Sequence, residues 1–191
     1  MNNYFVHESS YVDDNCIIGA GTKIWHFSHI MSGCQIGENC NIGQNVVVSP
    51  CVVLGRNCKV QNNVSIYTGV RCGDDVFLGP SMVFTNVINP RAFIERKSEY
   101  RKTVVKKGAS IGANATIVCG HDIGRYAFVG AGAVVTKDVP DYALVYGSPA
   151  KIHGYVCRCG EKLHFEEGKA CCPVCGMKYE MREKNDVKEI D

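Results

Sequence analysis

The sequence has no marked excess of charge of either sign, no long hydrophobic run and no signal-peptide pattern at its start. Its 191 residues carry a formal net charge of +2 at pH 7, which argues against nucleic acid or an anionic membrane surface as the main partner. No apolar stretch approaches the roughly 20 residues that a membrane-spanning helix needs, and nothing at the start has the form of an export signal. The sequence therefore predicts a protein with no membrane span and no nucleic-acid partner.

The periods of an amphipathic helix and of an alternating strand are also missing. Instead, an apolar residue, mostly a branched aliphatic, returns at every sixth position, and a small or modest residue stands four positions after most of them. Such a chain turns a corner every six residues, makes three flat sides per coil, and pairs its stacked coils as parallel strands. The sequence predicts an all-β parallel β-helix on the series Val12, Ile18, Ile24, Ile30, Ile36, Ile42, Val48, Leu54, Val60, Ile66, Cys72, Leu78 and Phe84, resumed as Val105, Ile111, Ile117, Ile123, Val129 and Val135.

Glycine and asparagine recur near the expected corners. Glycine often follows the aliphatic residue directly, as at Gly37 and Gly55, and asparagine recurs a few positions later, as at Asn39 and Asn57. Both residue types tolerate positive φ better than other residues, so we expect them to relieve the corners.

Twelve cysteines in a small protein suggest a secreted disulfide framework, but their positions argue against one. Cys16, Cys34, Cys40 and Cys58 fall at the small-residue position of the repeat, where free thiols act as compact apolar filler. This placement favours a reducing cytoplasm.

The repeat divides the chain. Residues 1–154 form the expected β-helix domain, with a lead-in at 1–11, coils at 12–89 and 105–139, and Pro140 as their end. Residues 90–104 interrupt the repeat with a charged excursion, which is either a functional loop or a solvated one. Residues 155–181 are a cysteine-rich tail, and residues 182–191 are a polar terminus expected to fray.

Counting three repeats to a coil brings two residues together. If the excursion leaves at a corner and the chain returns to the next side, Ile117 shares a side with Phe84. Asn86 then lies one coil from His121, at a strand spacing of about 4.8 Å.

The tail carries two cysteine pairs, each followed by glycine. Cys157 and Cys159 are separated by one residue, whereas Cys172 and Cys175 have the two-residue gap usual in zinc knuckles. The four thiolates suit a structural zinc ion, with Cys171 or His164 as substitute ligands. A metal-free or oxidised tail is the other interpretation, because the first gap is short.

The hexad pattern resembles the hexapeptide-repeat acyltransferases, which form left-handed parallel β-helices. Three passages, Gln-Asn-Asn-Val-Ser-Ile-Tyr from 61, Phe-Thr-Asn from 84 and Glu-Arg-Lys-Ser-Glu-Tyr-Arg from 95, resemble the nucleotide-amino-sugar N-acetyltransferases over about residues 5–153. The subgroup most similar to them acetylates the 3-amino group of UDP-2-acetamido-3-amino-2,3-dideoxyglucuronate in surface-polysaccharide (lipopolysaccharide, O-antigen) biosynthesis. This resemblance implies acetyl-CoA as donor, a UDP-linked amino sugar as acceptor, and a homotrimer with active sites between subunits.

The resemblance also implies roles for individual residues. Asn86 would position the sugar amine, since a neutral amide accepts a hydrogen bond without taking the proton, although an asparagine here also suits a corner. His121 is the alternative base or a packed histidine without catalytic duty. Substrate contacts would come from His26 of an adjoining subunit, Asn62, Arg91, Glu95, Lys97, Ser98, Tyr100 and Arg101, and acetyl-CoA contacts from Gly112, Ala113, Arg125, Gly130, Ala131, Lys137 and Lys151.

Two other functions stay open. A dTDP-linked 3-amino-6-deoxyhexose would lack the carboxylate of a uronate and would need no cationic contact at C6. A carbonic-anhydrase-like or noncatalytic hexapeptide scaffold is the second, with His26, His29 and His121 as the histidines available to a metal.

Overall fold

The structure, a computed structural model, describes residues 3–183 and 185–190. No α-helix occurs in that part of the chain, and one 3₁₀ turn covers Lys97–Glu99. The strands before the excursion are β1 Phe5–Val6, β2 Tyr11–Val12, β3 Ile17–Ile18, β4 Lys23–Ile24, β5 His29–Ile30, β6 Gln35–Ile36, β7 Asn41–Ile42, β8 Val47–Val48, β9 Val53–Leu54, β10 Lys59–Val60, β11 Ser65–Ile66, β12 Val70–Cys72, β13 Phe77–Leu78 and β14 Val83–Phe84. Those after it are β15 Thr103–Val105, β16 Ser110–Ile111, β17 Thr116–Ile117, β18 Phe128–Val129, β19 Val134–Val135, β20 Ala143–Gly147, β21 Ala150–Val156, β22 Lys162–Leu163, β23 Lys169–Cys171, β24 Lys178–Glu183 and β25 Asp186–Ile190.

The strands form the three faces of a left-handed parallel β-helix, as predicted. The first sheet runs β1-β4-β7-β10-β13-β16-β18-β20 and continues into β21 and β22. The second runs β2-β5-β8-β11-β14-β17-β19, and the third runs β3-β6-β9-β12-β15. Neighbouring coils are 18 residues apart, as in the pairing of Asn41 with Lys59.

The interior is filled by the sixfold series. Ile24, Ile30, Ile42 and Ile66 are completely buried, and Cys34, Cys40 and Cys58 fill the small-residue positions beside them. All twelve cysteines are free, and each lies in the described residues, so no disulfide framework is present. The prediction of thiols as apolar filler is confirmed for these three positions.

The corners are relieved by two different means. Asn15, Asn39, Asn45, Asn57 and Asn63 all have φ between 55° and 62°, as expected. The glycines that follow the aliphatic residues serve another purpose, because a Cβ on Gly37 would lie 2.6 Å from the backbone of Gly55 in the next coil. Close stacking of coils, and not positive φ, excludes a side chain there.

The excursion leaves and returns at one corner. The Arg101 N–H donates to the carbonyl of Asn86 at 2.9 Å and closes its neck, so the excursion itself is residues 87–100 and not 90–104. Phe84 pairs with Ile117, which confirms that the chain returns in the predicted register.

The coils do not end at Pro140. Ile123 pairs with Val139, and β20 pairs parallel with β18, so Pro140 occupies a corner of a last coil. Proline suits that corner because its missing N–H falls outside the strand ladders.

The tail packs on the end of the β-helix. β21 turns back antiparallel on β20, and β23, β24 and β25 form a separate antiparallel sheet. The expectation that residues 182–191 fray is wrong for Asp186–Ile190, which pair with β24 and bury Val187; positions 184 and 191 lie outside the described residues. None of the described helical segments has the length and apolar character that crossing a membrane requires.

Candidate active site

The predicted site residues fall on three edges of the prism. The His26 corner, between the first and second sheets, holds His26, Asn62, Gly112, Ala113, Gly130 and Ala131. The Asn86 corner, between the second and third sheets, holds Asn86, His121 and Lys137, together with the excursion. The Arg125 corner, between the third and first sheets, holds Arg125. One chain therefore does not bring all the candidates together.

A cleft of about 410 Å³ lies between Asn86 and the excursion. Asn86 is half-buried, and its carboxamide makes no hydrogen bond to another described residue. The cleft joins it to four of the predicted substrate contacts, Arg91, Glu95, Lys97 and Tyr100. A free amide in a cleft lined by both charged and apolar residues can accept a hydrogen bond from an amine.

The charges of the excursion are largely paired with each other. Lys97 lies 3.5 Å from Glu95, and Arg96 lies 2.7 Å from Glu99. Arg91 forms no ion pair within the described chain, and its guanidinium donates to the carbonyl of Pro90 at 2.9 Å. Arg91 is thus the cleft cation most available to an anionic ligand.

Arg96 is a site residue that the sequence did not single out. It lines the cleft, and its Nε is buried without a hydrogen-bond partner in the described residues. A buried unpaired donor costs free energy unless a ligand or water accepts its hydrogen bond. The only sequence signal was its place in the charged run, which it shares with several exposed neighbours.

His121 stands at the small-residue position of its repeat. Other coils carry a buried alanine there, whereas the side chain of His121 is only partly buried. Its imidazole is 30% exposed, and Nδ1 lies 3.6 Å from Oδ1 of Asp138. That oxygen accepts the backbone N–H of Asp122 at 2.9 Å, so the carboxylate is fixed while the imidazole is only loosely held.

Two of the predicted substrate contacts, Ser98 and Arg101, lie away from the cleft walls. Ser98 is in the exposed 3₁₀ turn. The side chain of Arg101 packs against Gly120, where an added Cβ would be 3.1 Å from its Cδ. Arg101 therefore lies beside the turn that carries His121.

The His26 corner holds a smaller cavity of about 260 Å³, lined by Trp25, His26, Gln44 and Asn62 among others. The ring of His26 stacks on His7, with centroids 3.5 Å apart. Oδ1 of Asn62 accepts the N–H of Gln44 at 2.9 Å, which leaves its amide nitrogen for a ligand. His26 and Asn62 thus share a cavity with each other but not with Asn86.

Further along the same corner, the predicted acyl-donor residues form a flat column. A Cβ on Gly112 would lie 2.5 Å from the nitrogen of Ala131, so side chains are excluded there. Ala113 accepts the N–H of Gly132 at 2.8 Å, and Tyr146 covers Gly130 at the end of the column. Such a column offers backbone groups to an extended ligand.

The three cations predicted to bind phosphate do not all lie in the same place. Lys137 and Lys151 line one cavity of about 600 Å³ at the C-terminal end of the β-helix. Arg125 lies on its own corner, where its Nε donates to Asp141 at 2.8 Å and this hydrogen bond raises the pKa of the guanidinium. Arg125 is thus already paired.

The four cysteines predicted as metal ligands lie together. Their sulfur atoms are all within 4.8 Å of one another, with 3.3 Å between Cys157 and Cys175 and 3.6 Å between Cys159 and Cys172. Cys171 and His164 do not belong to the group.

Comparison with known proteins agrees with this architecture. Residues 15–50 match the family of the bacterial transferase hexapeptide (six repeats), and residues 34–68 and 103–137 match the hexapeptide repeat of succinyl-transferase.

A similar curated protein is the dTDP-3-amino-3,6-dideoxy-alpha-D-galactopyranose 3-N-acetyltransferase of Aneurinibacillus thermoaerophilus, 49% identical over 175 residues, which are 92% of this chain and 90% of that protein. The bifunctional protein GlmU of Shouchella clausii (strain KSM-K16) is 34% identical over 73% of this chain, which spans only 28% of that protein.

Among solved structures, a point mutant of the GDP-perosamine N-acetyl transferase from Caulobacter crescentus, in complex with CoA and GDP-perosamine, superposes with a TM-score of 0.50 at 24% identity. The match covers 78% of this chain and 55% of that one, and it supports the fold alone.

Proposed function

Since this chain belongs to the bacterial hexapeptide-repeat transferases and is an acyltransferase, we propose that it acetylates the 3-amino group of a dTDP-linked 3-amino-3,6-dideoxyhexose with acetyl-CoA as the donor. In this reaction the amine nitrogen forms an amide bond to the acetyl carbon, and the thioester bond to sulfur breaks. One amine proton is lost, and CoA leaves as its thiol.

The observation that carries the choice of sugar is the 49% identity to a dTDP-3-amino-3,6-dideoxyhexose acetyltransferase across nearly the whole of both chains. It favours the dTDP-linked 6-deoxy sugar over the UDP-linked uronate that the resemblance of the sequence motifs implies.

The charges of the excursion cleft support the same choice. Arg96 and Lys97 are each paired with a glutamate, which leaves Arg91 for the diphosphate. The uncharged lining of the cleft includes Val87, Ala92 and Ile94, and such a wall suits a C6 methyl group better than a carboxylate.

The distribution of residues along the prism supports a site between subunits. Acceptor candidates lie on the N-terminal and middle coils of the two corners, at His26, Asn62 and Asn86. The donor candidates Gly112, Ala113, Gly130, Ala131 and Lys137 lie on later coils of the same corners, whereas Arg125 lies on the third corner. A trimer that sets the His26 corner of one subunit against the Asn86 corner of the next would make one groove from both sets. The two substrates would then meet near the level of Asn86.

Asn86 is the residue that we assign to the amine. Its free carbonyl oxygen accepts one amine hydrogen and aims the nitrogen lone pair at the thioester, so that orientation supplies much of the rate. A sugar amine beside electron-withdrawing oxygens is weakly basic, so a strong base is not required. His121, one coil further on and loosely held by Asp138, is a secondary acceptor for the proton.

A carbonic-anhydrase-like site fits the structure poorly. His26 and His121 lie four strand spacings apart along the prism, or about 19 Å. In a trimer whose symmetry axis is parallel to the β-helix, residues at the same height along the helix lie next to each other in neighbouring subunits. His26 and His121 are at different heights, so they would not share one metal ion.

A thiol-release assay with acetyl-CoA and a panel of dTDP- and UDP-linked amino sugars tests the function. We expect turnover with the dTDP-3-amino-3,6-dideoxyhexoses and at least tenfold lower kcat/KM with the uronate. A preference for the uronate would contradict the choice of sugar.

Mixing two variants tests the shared site separately. His26→Ala and Asn86→Ala, each weak alone, would regain activity when refolded together. A random equal mixture restores about one quarter of the sites in a trimer, since an intact site needs one wild-type corner from each neighbour. If the mixture regains no activity, then either both residues act in the site of the same subunit or His26 has no part in the site.

We also propose a structural zinc ion for the four-cysteine cluster, without a part in acyl transfer. A tetrahedral site with Zn–S bonds of 2.3 Å has sulfur–sulfur distances of about 3.8 Å, and the observed 3.3 and 3.6 Å are close to that value. The turn that carries Cys172 and Cys175 is closed by the N–H of Gly176, which donates to the carbonyl of Cys172 at 3.0 Å. Metal analysis should find one zinc ion per chain.

A further inference from the structure

The cysteine tail is continuous with the core of the β-helix. Tyr179 of β24 is completely buried, and its ring meets Tyr142 of the last coil edge-on at 5.3 Å. Its hydroxyl lies 3.1 Å from the sulfur of Cys157. The guanidinium of Arg158 covers the ring of Tyr126, with 5.3 Å to the centroid. The tail is therefore a cap fixed to the C-terminal end of the β-helix.

The four cysteines come from both sides of this contact. Cys157 and Cys159 follow β21, which is still part of the first sheet, whereas Cys172 and Cys175 stand between β23 and β24 of the separate sheet. A metal ion bound by all four would cross-link the two sheets. Without it, the small sheet is held by a few side chains, and a segment this short buries little surface of its own.

The far end of the cap reaches the cavity of Lys137 and Lys151. Asn185, in the turn between β24 and β25, lines that cavity. The hydroxyl of Tyr155 donates to Oδ1 of Asn185 at 2.8 Å, and Tyr155 precedes the ligand Cys157 by two residues. The position of Asn185 thus depends on the strand that leads into the metal cluster.

The chemistry of this cavity suits a phosphate group. Neither Lys137 nor Lys151 makes an ion pair with a described residue, and the amide nitrogen of Asn185 is free to donate because its oxygen is engaged. The cavity lining also includes the carboxylate of Asp138, whose Oδ1 accepts the N–H of Asp122 at 2.9 Å and lies 3.6 Å from Nδ1 of His121. Two ammonium groups and an amide donor outnumber this one engaged carboxylate and, beside the apolar Val145 and Ile152, match the phosphorylated nucleotide end of CoA.

We infer that the zinc-bound cap completes the binding site for the phosphorylated end of the acyl donor, so that zinc controls the affinity for CoA through Asn185. The inference rests on the proposed use of acetyl-CoA. It assigns the tail a role in donor binding that is distinct from the acceptor site at Asn86.

Calorimetric titration of CoA into the whole protein tests this without requiring turnover. Zinc-loaded protein, protein treated with a chelator, and the variants Cys172→Ser and Asn185→Ala are compared, with Arg182→Ala as the control on the same hairpin. Arg182 is exposed and pairs with Glu180, away from the cavity. We expect Asn185→Ala to keep its zinc and bind CoA about tenfold more weakly, whereas Arg182→Ala binds normally. Chelation and Cys172→Ser should lower both CoA affinity and the thermal midpoint.

Unchanged CoA affinity in Asn185→Ala, or in stable zinc-free protein, would overturn the inference, as would purified protein without zinc. If the zinc-free protein does not fold, Asn185→Ala alone decides. Zinc-dependent CoA binding in a protein inactive on every amino sugar would uphold the inference and refute only the acceptor assignment.

Discussion

Replacement of Asn86 by alanine should cost more activity than replacement of His121 by asparagine. Asn86 is half-buried at the base of the excursion cleft, and its carboxamide has no partner among the described residues. Its oxygen is therefore available to the amine throughout the reaction. The backbone carbonyl of Asn86 still closes the neck of the excursion in the alanine variant, so the loop should keep its position.

The expected magnitude follows from the hydrogen bond that is lost. The amine nitrogen becomes positively charged as it attacks, and a hydrogen bond to a charged group contributes about 1.5–3 kcal/mol. Its removal lowers kcat/KM about 10- to 150-fold. The 3.6 Å between His121 and Asp138 is too long for a hydrogen bond, so this imidazole is poorly oriented. Its loss should therefore cost well below the roughly 100-fold or more that a well-positioned general base contributes, and less than the loss of Asn86 near neutral pH.

The assay is thiol release at saturating acetyl-CoA, measured from neutral to alkaline pH. The deficit of His121→Asn should shrink as pH rises, because the amine then loses its proton to solvent, whereas that of Asn86→Ala should persist. Asn89→Ala is the matched control, since Asn89 is exposed on the excursion and does not line the cleft. A larger loss in His121→Asn than in Asn86→Ala would refute this reasoning and make His121 the essential base.

Three further predictions concern the coils. Ile66→Ala should lower the free energy of unfolding by about 2–5 kcal/mol because Ile66 is completely buried, whereas Ile17→Ala, at a position 67% exposed, should cost much less in the same denaturant titration. Burial raises the pKa of Cys34 from 9.0 to about 11 and that of Cys72 to about 12. The thiols of the unfolded chain therefore lose their protons at lower pH than those of the folded chain. The free energy of unfolding should be at its full value below about pH 9 and should fall as pH rises from 9 to 12, and this fall should be less steep in Cys34→Ala than in the wild type. Iodoacetamide should label the exposed Cys51 in the folded protein and reach Cys34 only on unfolding, as peptide mass analysis would show.

The sequence predicted the β-helix well because every coil requires the same types of residue at the same positions. The narrow interior admits one large apolar residue per side, so Ile42, Val60 and Leu78 identify one face from spacing alone. Counting three repeats to a coil also placed Asn86 on the coil next to that of His121. The count holds across the excursion because the hydrogen bond between Arg101 and Asn86 joins its two ends, so the strands after it keep their register.

Features that depend on contacts between distant segments were not predictable in the same way. The pairing of Arg125 with Asp141 arises because Ile123 and Val139 are 16 residues apart in the last coil, two fewer than in the regular coils. The packing of Tyr179 on Tyr142 depends on how the tail folds back. Neither follows from a periodic pattern. The buried Nε of Arg96 depends on the path of a loop that has no repeat at all.

The closed neck of the excursion has a consequence for how such a protein can diversify. The hydrogen bond between Arg101 and Asn86 joins the loop's two ends, so residues can be added or lost between them without rotating any later coil. One residue inserted within a strand would instead move the aliphatic side chain of that strand from the interior to the outer face. Natural variation in the sugar accepted should therefore concentrate in residues 87–100, and exchange of that segment between relatives is the simplest route to a new acceptor on an unchanged donor-binding half.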